Sequence, residues 1–291
     1  MKLFVHVHIY YPNLWNEIKE HLANITIPYD MIVTFVENHP EIEKDILTFK
    51  NDTKIMHVPN KGWDIGPFLI ALQNISLNDY DYVIKLHTKR DLPGLFSQND
   101  IPCCCFVKNH LKYKNEWRQE LLAFLQNKIT FNNCLAAFEK NEKLGMTANF
   151  KIIIDQKERD KKVYNEAKEL LSRMGYANED FNFVAGTMFM VRAKLLLPLL
   201  NIQKYIGEFA ETKRQDISVT AHVLERVLGG LVCLQGYTIE DVFTKKQNFG
   251  FPWREIFVSI FRFFFQYRIT NSGYKTIKIF KIPIYRKKIK L

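Results

Sequence analysis

Asp81-Tyr82-Val83-Ile84-Lys85-Leu86-His87-Thr88-Lys89-Arg90-Asp91 is a short apolar run that empties into a cluster of cations and a hydroxyl. A run of this length bounded by polar residues reads as a buried strand. In open α/β sheets, ligands bind just beyond the carboxyl ends of the strands. The tip formed by Lys85, His87, Thr88, Lys89 and Arg90 therefore suggests a site for an anion, with a solvated basic turn as the competing reading.

Working outward toward the N-terminus, Lys2 to Tyr10 alternates with Leu3, Val5, Val7 and Ile9 apolar, and Leu14, Trp15, Ile18 and Leu22 then recur at helical spacing. Tyr29 to Val36, Glu41 to Phe49 and Lys54 to Val58 continue as strand, helix and strand. That alternation predicts an α/β fold with a mostly parallel sheet flanked by helices. Next come Asn60 to Phe68, a turn into a helix expected over Phe68 to Ile75, where Gly62 and Gly66 let the backbone bend sharply or approach a ligand. Asp64 falls near that helix's N-terminus, either as its cap or as a site carboxylate. His6, His8 and Tyr10 alternate along the first strand and so share one side of it, where packing or a site wall is favoured over zinc.

On the other side of the opening stretch, residues 91 to 110 lack periodicity and predict a long loop beside the site. Helices are expected over Glu116 to Leu125 and Phe131 to Phe138, and a strand over Leu144 to Ala148. Asp155 to Arg173 reads as a charged, solvated surface helix. Phe183 to Arg192 reads as one strand, in which Gly186 and Thr187 mark close approach by a substrate or packing against a helix. Asp216 to Leu228 is helical in pattern and sets His222 and Glu225 three residues apart on one face. A carboxylate beside an imidazole can tune it for acid–base work, although a surface pair is the plainer explanation.

With 291 residues, 47% hydrophobic and 25% charged, the chain has room for one large domain plus an appendage and needs no staples to fold. Its five cysteines, three adjacent at Cys103, Cys104 and Cys105, form no paired framework and predict a reducing, cytoplasmic setting. No signal-peptide pattern is expected at the strand-like N-terminus. Of the net charge of +10, all but about one unit lies from Arg254 onward. That distribution argues against nucleic acid as a partner, because the body lacks a basic surface. Over Phe251 to Ile269 the residues Glu255, Ser259, Arg262 and Gln266 collect into one helical stripe among aromatics. A bilayer-crossing helix needs about 20 apolar residues, which this segment lacks. The expectation is a domain over residues 1–250 and, over 251–291, a helix and basic tail that attach to an anionic membrane surface.

Val5-His6-Val7-His8-Ile9-Tyr10-Tyr11-Pro12 with Leu14-Trp15, Asn60 to Leu69, Tyr82 to Arg90, Trp117-Arg118 with Leu121-Leu122, Val184 to Arg192 and Ala221 to Arg226 stand in the order seen in one family. On these residues the chain resembles the rhamnan synthesis protein F family of bacterial polysaccharide glycosyltransferases. The resemblance implies a GT-A-like (Rossmann-like) domain. It also implies transfer of a sugar, often L-rhamnose from a dTDP-activated donor, onto a lipid-linked glycan at the inner face of the plasma membrane. A UDP- or GDP-sugar donor, or a silent glycan- or lipid-binding subunit, are the alternatives.

Many GT-A enzymes hold a divalent ion with paired aspartates where this chain has Lys85-Leu86-His87-Thr88-Lys89, which lacks the carboxylates that Mg²⁺ or Mn²⁺ prefers. The resemblance thus implies a metal-independent enzyme in which Lys85, His87, Lys89 and Arg90 neutralise the leaving diphosphate. It further implies that Tyr10 or Tyr11 stacks on the base, that Asp64 accepts hydrogen bonds from base or sugar, and that Gly186 and Thr187 border the sugar. Asp216 is favoured as the base for the acceptor hydroxyl, ahead of Glu225 with His222.

Overall fold

β1 (Leu3–Ile9) is buried at every position, as a central strand covered on both faces must be. The computed structural model that shows this describes residues 1–89, 116–155, 161–206, 209, 219–244, 265–269, 274–279 and 282–288. β1 pairs in parallel with β2 (Tyr29–Phe35) on one side and with β4 (Tyr82–His87) on the other, and β3 (Lys54–His57) extends the sheet beyond β2. The chain thus moves outward from β1 to β3 and then returns to the far side of β1. In sheets of this kind ligands bind at such a reversal, beyond the carboxyl ends of the strands, which here are β1 and β4.

Beyond β4 lie β8 (Phe189–Arg192), antiparallel to its neighbours, then β5 (Leu144–Thr147) and β9 (Thr238–Glu240). Together these form a seven-stranded, mostly parallel sheet in the order β3-β2-β1-β4-β8-β5-β9. β6 (Ile153–Asp155) and β7 (Asn182–Val184) form a separate antiparallel pair. The expected α/β sheet flanked by helices is therefore the observed architecture.

The helices pack through their apolar stripes. α1 (Trp15–Leu22) buries Trp15, Ile18 and Leu22, and the Trp15 indole donates 2.6 Å to Asp45 of α2 (Pro40–Phe49). α3 (Ile65–Gln73) buries seven of its nine residues, and the burial of each Phe or Leu there stabilises the fold by roughly 1.5–3 kcal/mol. It begins three residues before the expected Phe68, because Gly66 and Pro67 fit a first helical turn.

Two further expectations are corrected. The stretch Phe183 to Arg192 is not one strand: it breaks between β7 and β8 at Gly186 and Thr187, both at positive φ. The charged helix Lys161–Arg173 is no solvated insertion, since Tyr164, Ala167, Leu170 and Leu171 are buried. Its apolar stripe packs on the helix Val219–Leu234, where a Cβ on Gly230 would lie 2.4 Å from Leu171.

The chain divides into two compact units, one formed by Met1–Lys89 with Gln119–Lys245, the other containing the C-terminal strands. In the second, β10 (Phe265–Ile269), β11 (Tyr274–Ile279) and β12 (Ile282–Lys288) form an antiparallel meander. The helix expected over Phe251 to Ile269 is thus strand in its last five residues, and its earlier residues lie outside those described, as does the loop over 91–110. The alternation Lys275-Thr276-Ile277-Lys278-Ile279 suits a strand better than the helical stripe just before it suggests. No helix among the described residues is long and apolar enough to cross a membrane.

Candidate functional site

The polar positions of the two central strands face inward. In register, His6 lies beside Lys85, and His8 lies between Thr34 and His87. All five are buried, with α3 packed over His6 and Lys85 through the Phe68 ring, 5.5 Å from each. Alternation of this kind usually marks a solvated face; here it marks a polar seam beneath a helix.

At the centre of the seam stands Lys85, whose side chain has no exposed surface. Its ammonium donates to the Asp64 carboxylate, to the Thr187 carbonyl at 3.1 Å and to the Thr187 hydroxyl at 2.9 Å. An ammonium has three N–H bonds, so none is left for a phosphate oxygen. The Thr187 hydroxyl in turn donates to Asp64. Burial lowers the Lys85 pKa, and the adjacent Asp64 charge opposes that. For Asp64, burial would raise the carboxyl, but His87, Lys85 and the Thr187 hydroxyl hold it well below the usual range. Asp64 precedes α3 without capping it; its side chain links β4 to the Gly186–Thr187 turn instead.

His87 completes the clasp by donating from Nε2 to the Gly186 carbonyl at 2.8 Å. Burial pushes this imidazole down to about 4 and His8 down to about 3, and holds His6 well below its ordinary value. His6 Nε2 and His8 Nδ1 each lie 3.0 Å from the Thr34 hydroxyl. In the unfolded chain these three histidines bind protons below about pH 6.5, while the folded state keeps them neutral, so stability must rise with pH through this window. Acidification from pH 7 to 5 is expected to cost ~2 kcal/mol per histidine. Urea unfolding at several pH values measures this, and a flat profile would mean that the imidazoles are charged in the folded protein.

Two backbone turns converge on the clasp, each with a glycine and a bulky residue at positive φ: Gly62 (72°) with Trp63 (55°), and Gly186 (81°) with Thr187 (53°). Non-glycine residues there cost roughly 1–3 kcal/mol and persist only when their surroundings dictate the conformation. Lys85 does so for Thr187. For Trp63, the Gly62 carbonyl accepts from Ile65 and Gly66 at 3.1 and 2.9 Å, and the Phe209 ring lies against Gly62. A Cβ on Gly66 would meet the Lys61 carbonyl at 2.1 Å. Gly66→Ala is therefore expected to destabilise by ~2–3 kcal/mol in thermal or urea unfolding, since backbone cannot yield as a side chain can.

The remaining expected residues surround this core. Thr88 joins the ends of β1 and β4: its hydroxyl accepts from the Tyr10 and Tyr11 amides at 2.9 Å, and its own amide donates to His8. Tyr10 is exposed and meets Tyr11 edge-on, with ring centroids 4.9 Å apart. Lys89 is half-buried, and its charge acts on Lys85, His87 and Glu225. Glu225 accepts from the Gly186 amide at 2.7 Å and from Arg226 at 2.8 Å. Burial would raise its carboxyl, but His222, Arg226 and the Gly186 amide bring it below its ordinary value. His222 lies 3.7 Å from Glu225 and is half exposed. Arg90 and Asp216 lie outside the described residues.

The seam thus gathers Asp64, Lys85, His87, Gly186, Thr187 and Glu225, while Tyr10, Tyr11 and Thr88 mark the β1 end. Thr34, Trp63 and Arg226 were given no site role from the sequence, Thr34 because it stands within the apolar run of β2. Asp64 turns one carboxylate oxygen to both Lys85 and Thr187 beside a neutral His87, so this donor set matches a hard divalent cation poorly. Among the described residues no other group of His, Cys, Asp and Glu could hold a metal ion.

Over 239 residues the chain is 25% identical to the uncharacterized protein WxcX in two strains of Xanthomonas campestris pv. campestris, covering 81% of this chain. It spans only about a third, 32%, of the length of those relatives. Among solved structures, S. aureus TarS 1–349 aligns at 13% identity and a TM-score of 0.42, covering 84% of this chain and 59% of that one. The same protein in complex with UDP-GlcNAc aligns at 14% identity and a TM-score of 0.42, covering 84% and 57%. The model of rhamnan synthesis protein F matches residues 1–237. By that match across most of its length, the chain belongs to the rhamnan synthesis protein F family.

Proposed function

We propose that the chain is a glycosyltransferase of GT-A type that moves L-rhamnose from dTDP-rhamnose onto a lipid-linked cell-surface polysaccharide or lipopolysaccharide intermediate. The observation that carries this reading is the clasp at the β1–β4 reversal, where a buried ion pair holds two strained turns at the place α/β sheets bind nucleotides. Family membership supports the sugar chemistry.

In this reading Lys85, His87 and Asp64 shape the site from beneath. Lys89 and Arg90 meet the diphosphate, and Tyr10 and Tyr11 flank the base. Gly186 and Thr187 border the sugar. Asp216 takes the acceptor proton, with His222 and Glu225 as the alternative. No residue is assigned to a metal, so full activity is expected in excess chelator, and strict dependence on Mg²⁺ or Mn²⁺ would end the metal-independent reading.

Thermal unfolding in the presence of dTDP-, UDP- and GDP-sugars tests the donor. A ligand at a hundred times its Kd stabilises by about 2.7 kcal/mol. The expected result is a shift with dTDP-rhamnose, unchanged by chelator. A shift with a UDP- or GDP-sugar would reassign the donor, and no shift with any would favour a silent glycan- or lipid-binding subunit. The concentration of charge after Arg254, with Lys275 paired to Lys287 across the meander, supports attachment to the anionic inner face of the plasma membrane. Sedimentation with anionic but not neutral vesicles is the expected outcome.

A further inference from the structure

Trp63 is 47% exposed, although a large aromatic is costly both in water and at a φ of 55°. Among the described residues the one ring paired with it is His222. The turn that holds its backbone is built by its neighbours Gly62, Ile65, Gly66 and Asp64. Its ring lies beside His222, centroids 6.4 Å apart and planes inclined by 36°. His222 turns Nδ1 toward Glu225, at 3.7 Å, which leaves Nε2 as the nitrogen for a ligand. Backbone strain that presents an exposed side chain, and not a buried one, is the pattern of a binding surface.

We propose that Trp63 and His222 form a subsite for a pyranose ring, resting on the reading of the chain as a glycosyltransferase. The inclination decides the ligand class. A flat nucleobase stacks best on parallel faces, and two planes at 36° cannot both cover it. A puckered sugar ring lying across the pair offers C–H bonds to the indole and an edge hydroxyl to the imidazole, since centroids 6.4 Å apart leave no room for a ring between them. Tyr10 and Tyr11, at the end of β1, are left to a base. Glu225 stands between this subsite and the Gly186 turn, one oxygen accepting the Gly186 amide at 2.7 Å and the other 3.7 Å from His222.

The test uses the full chain and saturation-transfer NMR with two probes, a panel of methyl hexopyranosides and dTDP. For wild type, saturation should reach the glycoside C–H protons. Trp63→Ala and His222→Gln should each weaken glycoside binding by about tenfold or more while the dTDP affinity stays within about twofold. Trp63→Gly, for which positive φ carries no penalty, should unfold at the same or a higher temperature than wild type yet lose the glycoside. A tryptophan with a merely structural role would lower that temperature.

The two sources of a sugar ring are separated by a third probe, dTDP-rhamnose. If Trp63→Ala weakens it as much as the free glycosides, the subsite holds the donor sugar; if only the glycosides weaken, it holds the acceptor. Loss of dTDP affinity in place of glycoside affinity would overturn the subsite, as would a wild type that contacts no glycoside. In either case binding of dTDP, UDP or GDP by wild type shows whether the glycosyltransferase reading survives.

Discussion

Asp64→Ala is expected to destabilise the protein by about 3–5 kcal/mol, the usual cost of leaving a buried charge without its partner. The Lys85 ammonium would stay fully buried, with only the Thr187 carbonyl and hydroxyl as acceptors. Lys85→Met should cost less, because the side chain of Asp64 is 20% exposed and can recover hydration. The double variant should fall near Lys85→Met and well short of the sum, as expected of two residues in one network.

Proton linkage gives a second signature. In Asp64→Ala the ammonium is disfavoured when folded but not when unfolded, so the unfolded state binds more protons up to about pH 10. The deficit should therefore shrink as pH rises. Urea midpoints of the three variants at neutral and alkaline pH measure both effects. A loss under about 1 kcal/mol for Asp64→Ala would place the pair among solvated ion pairs and remove the clasp as the site's organiser.

The parts of the fold that sequence revealed were those encoded locally. The apolar runs of β1, β2 and β4 and the periodicity of Trp15, Ile18 and Leu22 declare their elements without help from the rest of the chain. The clasp is different. Asp64, Lys85 and Thr187 are 21 and 102 residues apart in sequence. A buried lysine and an exposed one are the same letter, and only α3 lying over β4 decides between them. His6, His8 and His87 were visible as alternating polar positions, yet alternation says which residues share a face and not whether water reaches it. The turn at Gly186–Thr187 was hidden for a related reason. Its flanks, Phe183-Val184 and Met188 to Val191, are β-formers, and the break is imposed by Lys85 gripping Thr187 from another strand. The helix Lys161–Arg173 misled through its charge, since the stripe Tyr164, Ala167, Leu170 and Leu171 is only four residues wide.

The largest expected effect on turnover comes from Asp216→Asn. Glu225 cannot readily serve as the base: one oxygen accepts the Gly186 amide and the other accepts Arg226, and these contacts bring its pKa down, which makes it a weaker proton acceptor. His222 is open to solvent, but in the proposed subsite it holds a sugar hydroxyl and does not remove its proton. The proposed reading therefore keeps Asp216, on the chain just before the helix that carries both, as the base. A positioned general base contributes about 10²–10⁴-fold to rate, so Asp216→Asn should lower kcat by that factor while the thermal shift with nucleotide-sugar is retained. Glu225→Gln should behave differently. It keeps one acceptor for the Gly186 amide but loses its charge toward Arg226, so it should lower the unfolding temperature and reduce kcat by no more than about tenfold. The pH profile separates the roles, because the acid limb of kcat belongs to the base and should vanish only in Asp216→Asn. If Glu225→Gln removes that limb and Asp216→Asn keeps it, the proton goes to Glu225, and the Gly186 amide must release its oxygen when the acceptor binds.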